Sequence, residues 1–336
     1  MKQRIEYIDA IKGLAIFLMV VGHAVAWNYA DYNEVCIFRP EQSINVKLGG
    51  VIWQLIYSFH MPLFFMVSGF LTYKAYRWTD FPLYVRKKAV RLLLPWFCTF
   101  WIVWLARGST GYWFLLCLFQ VSILGFLLML LLEKVNPNRV WMIDAIIMVG
   151  GYVCLRMVHA GEWHLHGISL GRFVGAYIPF FSGVLLRKHK FLFDACFRSG
   201  WFYSLALALF AGLFLSRYLI GHGSIWGHIH AHDGILLALL GSLLVFRMFA
   251  EGRPARFMSL LSRLGKKTLP VYVLHVMFVI QAPAVGEFIL MQNAETSIVL
   301  QITYSAVISV IAIVLSLCLY EVVAISPLFR RLFFGE

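Results

Sequence analysis

Residues 1–27 read MKQRIEYIDAIKGLAIFLMVVGHAVAW, a basic start followed by an apolar segment long enough to cross a bilayer. Within it stand Lys12 and His23, two side chains that lipid does not favour. Eleven helical steps return to within about 20° of the starting direction and rise roughly 16 Å, so His23 lies above Lys12 on one face. Asp9, three residues before Lys12, shares that face and can pair with it. Structural packing is one explanation; a functional site is the other, because ionisable groups at membrane depth usually face a cavity or partner.

The composition of the whole chain is that of a membrane protein. Of its 336 residues, 61% are apolar and 13% are charged, and the mean hydropathy is +0.79. A soluble domain has about 25% charged residues. Apolar stretches that could span a membrane lie near residues 11–29, 49–73, 90–106, 112–132, 140–158, 170–187, 201–220, 233–250, 268–290 and 297–325. We therefore predict an all-α, polytopic integral membrane protein with about ten transmembrane helices, forming a single membrane domain over residues 1–336.

The net charge of +13 is explained by sidedness rather than by nucleic-acid binding. Most of the 29 basic residues fall in alternate connections between the apolar stretches, and the remaining connections hold few. The positive-inside rule then predicts that both termini are cytoplasmic, which an even number of spans requires. A cleaved signal peptide is the alternative for the start of the chain, since Ala24-Val25-Ala26 resembles a cleavage site. Cleavage would remove His23 and leave an odd number of spans, so we favour a retained first helix.

The second apolar stretch contains Phe59 to Lys74, FHMPLFFMVSGFLTYK, with a polar residue near its middle. His60 lies two residues before Pro62, whose missing N–H would free a backbone carbonyl for a polar partner. Ser68 and Gly69 allow another helix to approach closely, so we expect them to shape the site rather than to react. For His60 both a structural and a functional role stay open.

A dense basic turn follows, FPLYVRKKAVRLLLPW at residues 81–96. Arg86, Lys88 and Arg91 are close together around a predicted helix start, where several cations can bind phosphates. A solvated positive-inside loop would have a similar sequence, so both interpretations stay open. Lys266 and Lys267, before the ninth stretch, form a weaker candidate of the same kind.

The ninth stretch contains LPVYVLHVMF, in which Tyr272 and His275 are three residues apart and share a helix face. A Tyr-His pair of this kind is often structural, and we assign both residues a supporting role. Asp31 and Glu34, after the first stretch, could orient an acceptor at the outer face. A solvated loop charge is the better interpretation of each.

Two sets of residues could suggest a metal site, and neither is convincing. His222, His228, His230, His232 and Asp233 cluster before the eighth stretch, but the glycines among them favour a loop, where such histidines also occur on wet surfaces. The six cysteines are scattered without a CxxC motif, and packing is their better explanation. We predict no metal ligand and no disulfide framework.

Several of these motifs, taken in order, resemble acyltransferase family 3. They are Lys12-x10-His23, the stretch FHMPLFFMVSGF at 59–70, Lys88-x-x-Arg91, Tyr112-Trp113-Phe114-Leu115 and LPVYVLH at 269–275. The FHMPLFFMVSGF stretch is most similar to the fucose O-acetylase-like branch. The resemblance covers nearly the whole chain, and it departs from the family pattern at Lys88, where the family has arginine.

The resemblance implies a bundle of about ten helices in the bacterial cytoplasmic (inner) membrane that O-acylates surface glycans. The implied donor is acyl-CoA, foremost acetyl-CoA, used from the cytoplasm without a permanently bound cofactor. The implied partners are a glycan or lipid-linked sugar acceptor and membrane lipid, with no nucleic acid. Family positions fall on Lys12 and His23 for catalysis and on Lys88 and Arg91. The hypothesis is that Lys88, Arg91 and Arg86 hold the phosphates of acyl-CoA, with Asp9 beside Lys12 below His23.

The chemistry of acyl transfer also selects His23. Moving an acyl group from a thioester to a hydroxyl needs a base for the hydroxyl proton, and an imidazole with a pKa of about 6.5 is largely neutral near pH 7. A covalent acyl-imidazole on His23 is the rival mechanism. The sequence does not separate the two, nor does it identify the acyl group, the acceptor or the oligomeric state.

Two other functions fit a polar helix bundle. A transporter or flippase of a lipid-linked glycan could use His23 and His275 along its path. We expect paired, interrupted helices in such a protein and find none by inspecting the sequence. A sensing or scaffolding module is the third possibility, and it predicts that changes at Lys12 and His23 alter no glycan or lipid.

Overall fold

A computed structural model of the protein describes residues 6–29, 42–74, 76–107, 112–160, 170–220, 227–251 and 256–336. In these ranges the regular structure is entirely helical and contains no β-strand. The all-α prediction is therefore confirmed for the part of the chain that the structure describes. The α-helices, in chain order, are α1 (Glu6–Asn28), α2 (Ile44–Thr72), α3 (Phe81–Lys88), α4 (Leu94–Arg107), α5 (Trp113–Val135), α6 (Trp141–Ala160), α7 (Leu170–Lys188), α8 (Lys190–Arg198), α9 (Gly200–Ile220), α10 (Gly227–Glu251), α11 (Arg256–Lys266), α12 (Thr268–Phe278), α13 (Pro283–Leu290), α14 (Ala294–Val323) and α15 (Pro327–Phe334).

Each predicted apolar stretch coincides with one of these helices or with a pair of them. Among the described residues, six helices are long and apolar enough to cross a membrane, namely α1, α2, α5, α6, α9 and α14. The pair α12 and α13 brings the number to seven if it is counted as one span. The chain is thus a multi-pass helical protein, while the count of ten spans and the cytoplasmic termini stay predictions.

The predicted ninth span is not one straight helix. Helices α12 and α13 meet at 84° across the non-helical residues 279–282. Pro283 contributes to the break, because proline disfavours the α conformation in the residue before it, and Ala282 has φ −135° and ψ 70°. Val279 is extended as well, with φ −67° and ψ 114°, so the chain is non-helical at both ends of the break and α13 leaves the direction of α12.

The helix of the predicted third span is not α-helical throughout. A π-helical turn, Ala89–Leu93, separates α3 from α4, and the Leu94 N–H donates to the Ala89 carbonyl five residues back. Pro95 has no N–H to give the Arg91 carbonyl, which removes one α-helical hydrogen bond at this point. The wider turn therefore carries Arg91, one of the predicted phosphate ligands.

The chain divides into two compact units. Unit 1 contains Met1–Leu63 and Trp201–Val322, and unit 2 contains Phe64–Gly200 and Val323–Glu336. Most of helix α2 therefore belongs to unit 1, and its last turns belong to unit 2. The prediction of one membrane domain over residues 1–336 stays a prediction.

In unit 1, the start of α1 packs closely on the amphipathic helix α11. A Cβ atom added to Gly13 would collide with the Leu261 carbonyl, and one added to Gly265 would collide with the Asp9 carbonyl. Small residues permit such backbone contact between helices where larger ones would hold them apart. The two glycines thus bring α11 directly against the turn that carries Asp9 and Lys12.

In unit 2, the end of α2 packs on α7 in the same manner. A Cβ added to Gly69 would collide with the Phe180 carbonyl, and one added to Gly183 would collide with the Met66 carbonyl. The close helix approach predicted for Gly69 is confirmed, and its partner is α7. Ser68, beside it, is half-buried.

Unit 2 also contains a buried ion cluster around Asp144. The Lys188 Nζ lies 2.8 Å from one Asp144 carboxylate oxygen, and both side chains are fully buried. His189 Nε2 lies 2.7 Å from the same oxygen, and the Asn136 amide donates to the other at 2.8 Å. Lys188 is among the basic residues of the connections, which the positive-inside rule places in the cytoplasm, but its charge is buried inside the unit. Opposite charges and hydrogen bonds offset the cost of taking these groups out of water.

Candidate active site

The first turns of α1 hold Asp9 and Lys12 as a partly buried ion pair. Lys12 Nζ lies 2.6 Å from the Asp9 carboxylate, and the two side chains are 20% and 6% exposed. The expected pairing three residues apart is confirmed. Asp9 in addition lies in the first part of the helix, where a negative charge is favoured by the helix dipole. The ammonium of Lys12 is therefore held in place at the base of the His23 face.

His23 lies between an aromatic side chain of its own helix and a histidine of α12. Its ring centroid is 5.0 Å from that of Trp27 and 5.1 Å from that of His275. The His23 and His275 rings are nearly perpendicular, at 83°. The structure thus brings together two histidines that the sequence placed on separate apolar stretches.

The tautomer of His275 follows from its hydrogen bonds. Its Nδ1 lies 2.8 Å from the Tyr272 carbonyl and 3.1 Å from the Val271 carbonyl. Carbonyl oxygens only accept, so Nδ1 carries the proton and, in the neutral ring, Nε2 carries the lone pair. Tyr272 accompanies it as expected, with ring centroids 6.1 Å apart.

His60 is a third imidazole of this cluster. It is 1% exposed, its Nδ1 lies 2.8 Å from the Ile56 carbonyl, and its ring contacts that of Tyr57 at 4.8 Å. The carbonyl that Pro62 leaves without its helical donor is that of Ser58, four residues earlier, so His60 does not use it. As in His275, the backbone fixes the proton on Nδ1 and leaves Nε2 as the basic nitrogen.

The sequence did not single out three residues near His23, namely Gly22, Trp27 and Tyr57. A Cβ added to Gly22 would lie 2.8 Å from the Tyr57 ring, so only glycine lets that ring lie against α1. Tyr57 also contacts the His60 ring edge-on at 4.8 Å and stacks on Trp53 at 4.1 Å. The sequence contains one signal for this close contact, a glycine directly before a histidine inside a predicted span. We call His23, His60 and His275 with Trp27 and Tyr57 the histidine cluster.

The predicted phosphate ligands lie in unit 2 and have two different environments. Lys88 turns inward, where its Nζ donates to Thr72 Oγ1 at 3.2 Å and lies 5.4 Å from the centre of the Tyr84 ring. Burial and the nearby charge of Arg91 lower the pKa of Lys88 to about 8. Arg86 and Arg91 are exposed. The basic segment therefore has one inward-facing ammonium group, that of Lys88, and two exposed guanidinium groups, those of Arg86 and Arg91.

The C-terminus of the chain supports Arg91. Helix α15 begins at the Ser326 N-cap and ends at Gly335, which has a φ of 62°. A Cβ on Gly335 would lie 2.6 Å from both the Arg91 Cα and the Val90 carbonyl, and the adjacent Phe334 is fully buried. This contact was not predicted, because nothing local in residues 327–336 indicates what the helix packs on.

Some candidates of the sequence analysis fall outside the described residues. These are Asp31, Glu34 and His222, together with the side chains of His228, His230, His232 and Asp233. Helix α10 begins at Gly227, so the expectation of a loop over residues 228–234 is wrong. Glycine is tolerated in apolar helices, and this made it a poor guide to a loop here.

The fold and the histidine cluster define a multi-pass helical membrane protein with ionisable groups collected on its first helix. The sequence profile of a family described as an acyltransferase domain matches residues 5–321. The chain belongs to this family, and the resemblance to acyltransferase family 3 is confirmed.

Two relatives carry the name nodulation protein NolL. The one from Mesorhizobium japonicum is 22% identical over 350 residues, which cover 94% of this chain and 86% of the relative. The one from Sinorhizobium fredii is 33% identical over 87 residues, which cover 26% of this chain and 21% of the relative. No solved structure matches the chain significantly.

Proposed function

We propose that this acyltransferase moves an acyl group, foremost acetyl, from acyl-CoA to a hydroxyl of a surface glycan or of its lipid-linked precursor. One observation carries the proposal: in a chain of this family, the histidine of the Lys12-x10-His23 motif packs against a second imidazole ring, that of His275, with ring centroids 5.1 Å apart. The proposed place of action is the bacterial cytoplasmic membrane, with both termini in the cytoplasm.

The proposed step uses His23 as a general base. A ring nitrogen of His23 accepts the proton of the acceptor hydroxyl while the hydroxyl oxygen attacks the thioester carbonyl. The tetrahedral intermediate then collapses, the C–S bond breaks, and the CoA sulfur leaves with the proton that His23 returns. The ester and free CoA are the products, and no redox change occurs. A two-step route through an acyl-imidazole on His23 gives the same products.

Lys12 and Asp9 lie on the face of α1 that carries His23. Because Asp9 fixes the ammonium of Lys12 at 2.6 Å, a positive charge is available on the His23 face without being isolated in the membrane. Because Lys12 lies roughly 16 Å below His23 along the helix, we propose that Asp9 and Lys12 form the lower wall of the site, past which the thioester reaches His23. His60, Tyr272 and His275 support His23 in place, while Ser68 and Gly69 set the packing of α2.

Donor binding is proposed for the cations of unit 2. Arg86 and Arg91 are exposed and can pair with phosphate oxygens through two N–H groups each. Lys88 offers a point charge from the interior. No permanently bound cofactor is part of the proposal, since acyl-CoA is a substrate.

A lipid-linked glycan transporter is the second candidate. Transporters often contain discontinuous helices near their substrate site, and the 84° break between α12 and α13 is such a feature. The apolar stretches predict no interrupted span, so this break weakens one argument for an enzyme over a transporter. Family membership and the Asp9, Lys12 and His23 face favour the enzyme.

The deciding experiment compares surface glycans from cells that lack the protein with glycans from cells given the wild-type chain or His23→Ala. We expect mass spectrometry to show an acyl mass that wild type restores and His23→Ala does not, at equal membrane levels. Loss of a general base lowers the rate by about 10² to 10⁴-fold, so residual acylation should be slight. An acyl mass fully restored by His23→Ala would refute the role of His23. Glycans that differ in transport but never in acylation would favour the transporter.

A further inference from the structure

The break between α12 and α13 is bound by one side chain of α1, that of Asn28. Its Nδ2 donates to the Ile280 carbonyl at 2.9 Å and to the Ala24 carbonyl at 2.8 Å. Its Oδ1 accepts the Ala282 N–H at 2.7 Å. Asn28 is 3% exposed. Both amide protons and the carbonyl oxygen of this side chain thus form hydrogen bonds. Two of these three hydrogen bonds are to the non-helical residues 279–282.

These bonds answer a specific need of a broken helix. Where α12 stops, backbone groups lose their helical partners, and in an apolar environment each unsatisfied group is costly. Asn28 supplies a donor and an acceptor at the same place, and its amide orientation is unambiguous because it meets both a carbonyl and an N–H. The backbone of α13 also packs closely on α1 here, since a Cβ added to Gly286 would collide with the backbone carbonyl of Asn28.

The position of Asn28 connects the break to the histidine cluster. Asn28 follows His23 by five residues on α1, and Ile280 follows His275 by five residues after α12. Below the cluster, the contact of Gly265 with Asp9 joins the same two chain segments again. The segment from α11 to residue 282 is therefore held against α1 at both ends, and the 5.1 Å contact of His23 with His275 lies between these two attachments.

We infer that Asn28 is a positioning residue for acyl transfer, which holds the end of α12 so that His275 orients the ring of His23. The inference rests on the proposed function. His275 itself is rigid, because its Nδ1 is bound to the backbone of its own helix. A shift of this helix end would therefore move the His275 ring as a whole and release the perpendicular contact that orients His23. Misplacement of a reacting group by about 1 Å can cost about 10²-fold in rate.

Asn45 provides a matched control in the same unit. It is 7% exposed, and its Nδ2 donates to the Leu290 carbonyl at 2.8 Å and to the Gln292 carbonyl at 2.7 Å. Asn45 thus attaches the far end of α13, away from the break and from His275. Replacing it removes a comparable pair of buried hydrogen bonds without touching the end of α12.

The experiment compares Asn28→Ala, Asn45→Ala and wild type, purified in lipid nanodiscs. Acetyl-CoA is the donor, the envelope glycan fraction of cells lacking the protein is the acceptor, and released CoA is measured from pH 6 to 9. We expect Asn28→Ala to lower kcat by about 10 to 10²-fold with a KM for acetyl-CoA within about twofold of wild type. The pH at which kcat of Asn28→Ala is half-maximal should also differ from that of wild type. Asn45→Ala should lose thermal stability yet keep the kcat and pH profile of wild type.

The outcomes separate the inference from the proposed function. If wild type releases no CoA with this acceptor or acylates no glycan, the proposed function fails, and the inference fails with it. If wild type is active and Asn28→Ala matches Asn45→Ala in kcat and pH profile, Asn28 is only structural and the inference alone is overturned. Should Asn28→Ala not fold, Asn28→Ser, which keeps one donor and an acceptor, enters the same comparison. Its kcat should then lie below that of Asn45→Ala.

Discussion

Lys88 should make donor binding depend on pH. Its pKa of about 8 reflects burial first and the charge of Arg91 second, so the side chain loses its charge within the range in which the enzyme can be assayed. Only the ammonium form attracts phosphate. The affinity for acyl-CoA should therefore be nearly full at pH 7 and below, and it should decline as the pH rises through 8.

The size of the effect follows from the pKa. With a pKa of about 8, Lys88 is about 90% charged at pH 7 and about 10% charged at pH 9. If binding requires the charged form, the KM for acetyl-CoA rises about tenfold between these pH values. The phosphates of CoA are already ionised at pH 7, since a phosphate monoester has a second pKa of about 6, so the donor does not cause the change.

The assay is the KM for acetyl-CoA from pH 6.5 to 9.5 in wild type and two variants. Lys88→Arg keeps its charge throughout this range because the guanidinium pKa is above about 12, so its KM should stay flat. Lys87→Met alters the neighbouring exposed cation and should keep the wild-type rise. A KM that is flat in wild type, or that rises equally in Lys88→Arg, would refute the role of Lys88 in donor binding.

Two further predictions concern unit 2. Gly335→Ala should raise the KM for acetyl-CoA and leave kcat unchanged, because a Cβ in the left-handed conformation costs about 1–2 kcal/mol and meets the Arg91 backbone at 2.6 Å. Steady-state kinetics measure it, and an unchanged KM would separate α15 from donor binding. Asp144→Ala leaves the Lys188 charge buried without its anion and should cost about 3–5 kcal/mol of unfolding free energy, read from denaturation in detergent. The double variant with Lys188→Met should recover most of this loss, and a cost below about 1 kcal/mol would contradict the network.

Local periodicity was sufficient for features that lie within one helix. The spacing of Asp9 and Lys12 predicted their ion pair, and the structure has it. The small residue Gly69 predicted a close helix contact, although not the identity of α7 as the partner. Such features depend on geometry that repeats every 3.6 residues, and a sequence displays them directly.

Features that join distant parts of the chain were beyond the sequence. The contact of His23 with His275 and the hydrogen bonds of Asn28 connect residues about 250 positions apart, and no periodic pattern encodes them. The burial of Lys188 could not be predicted either. A lysine near a helix end is expected to be exposed to solvent, and its buried partner Asp144 is distant in the sequence. For the break after α12, Pro283 is visible in the sequence, but it lies within an apolar stretch long enough to predict one continuous span.

The ion pair of Asp9 and Lys12 has a consequence for biosynthesis. Helix α1 leaves the ribosome before the helices that pack on it through Gly13, Asn28 and His23, because these lie between residues 256 and 290. At about 5–20 residues per second, these partners follow roughly 12 to 50 seconds later. During that interval, Asp9 and Lys12 can neutralise each other's charge, because they are three residues apart and can pair as soon as the first turns of α1 form. The pair of Asp9 and Lys12 thus lowers the cost of placing α1 in the membrane before its later partners in unit 1 exist.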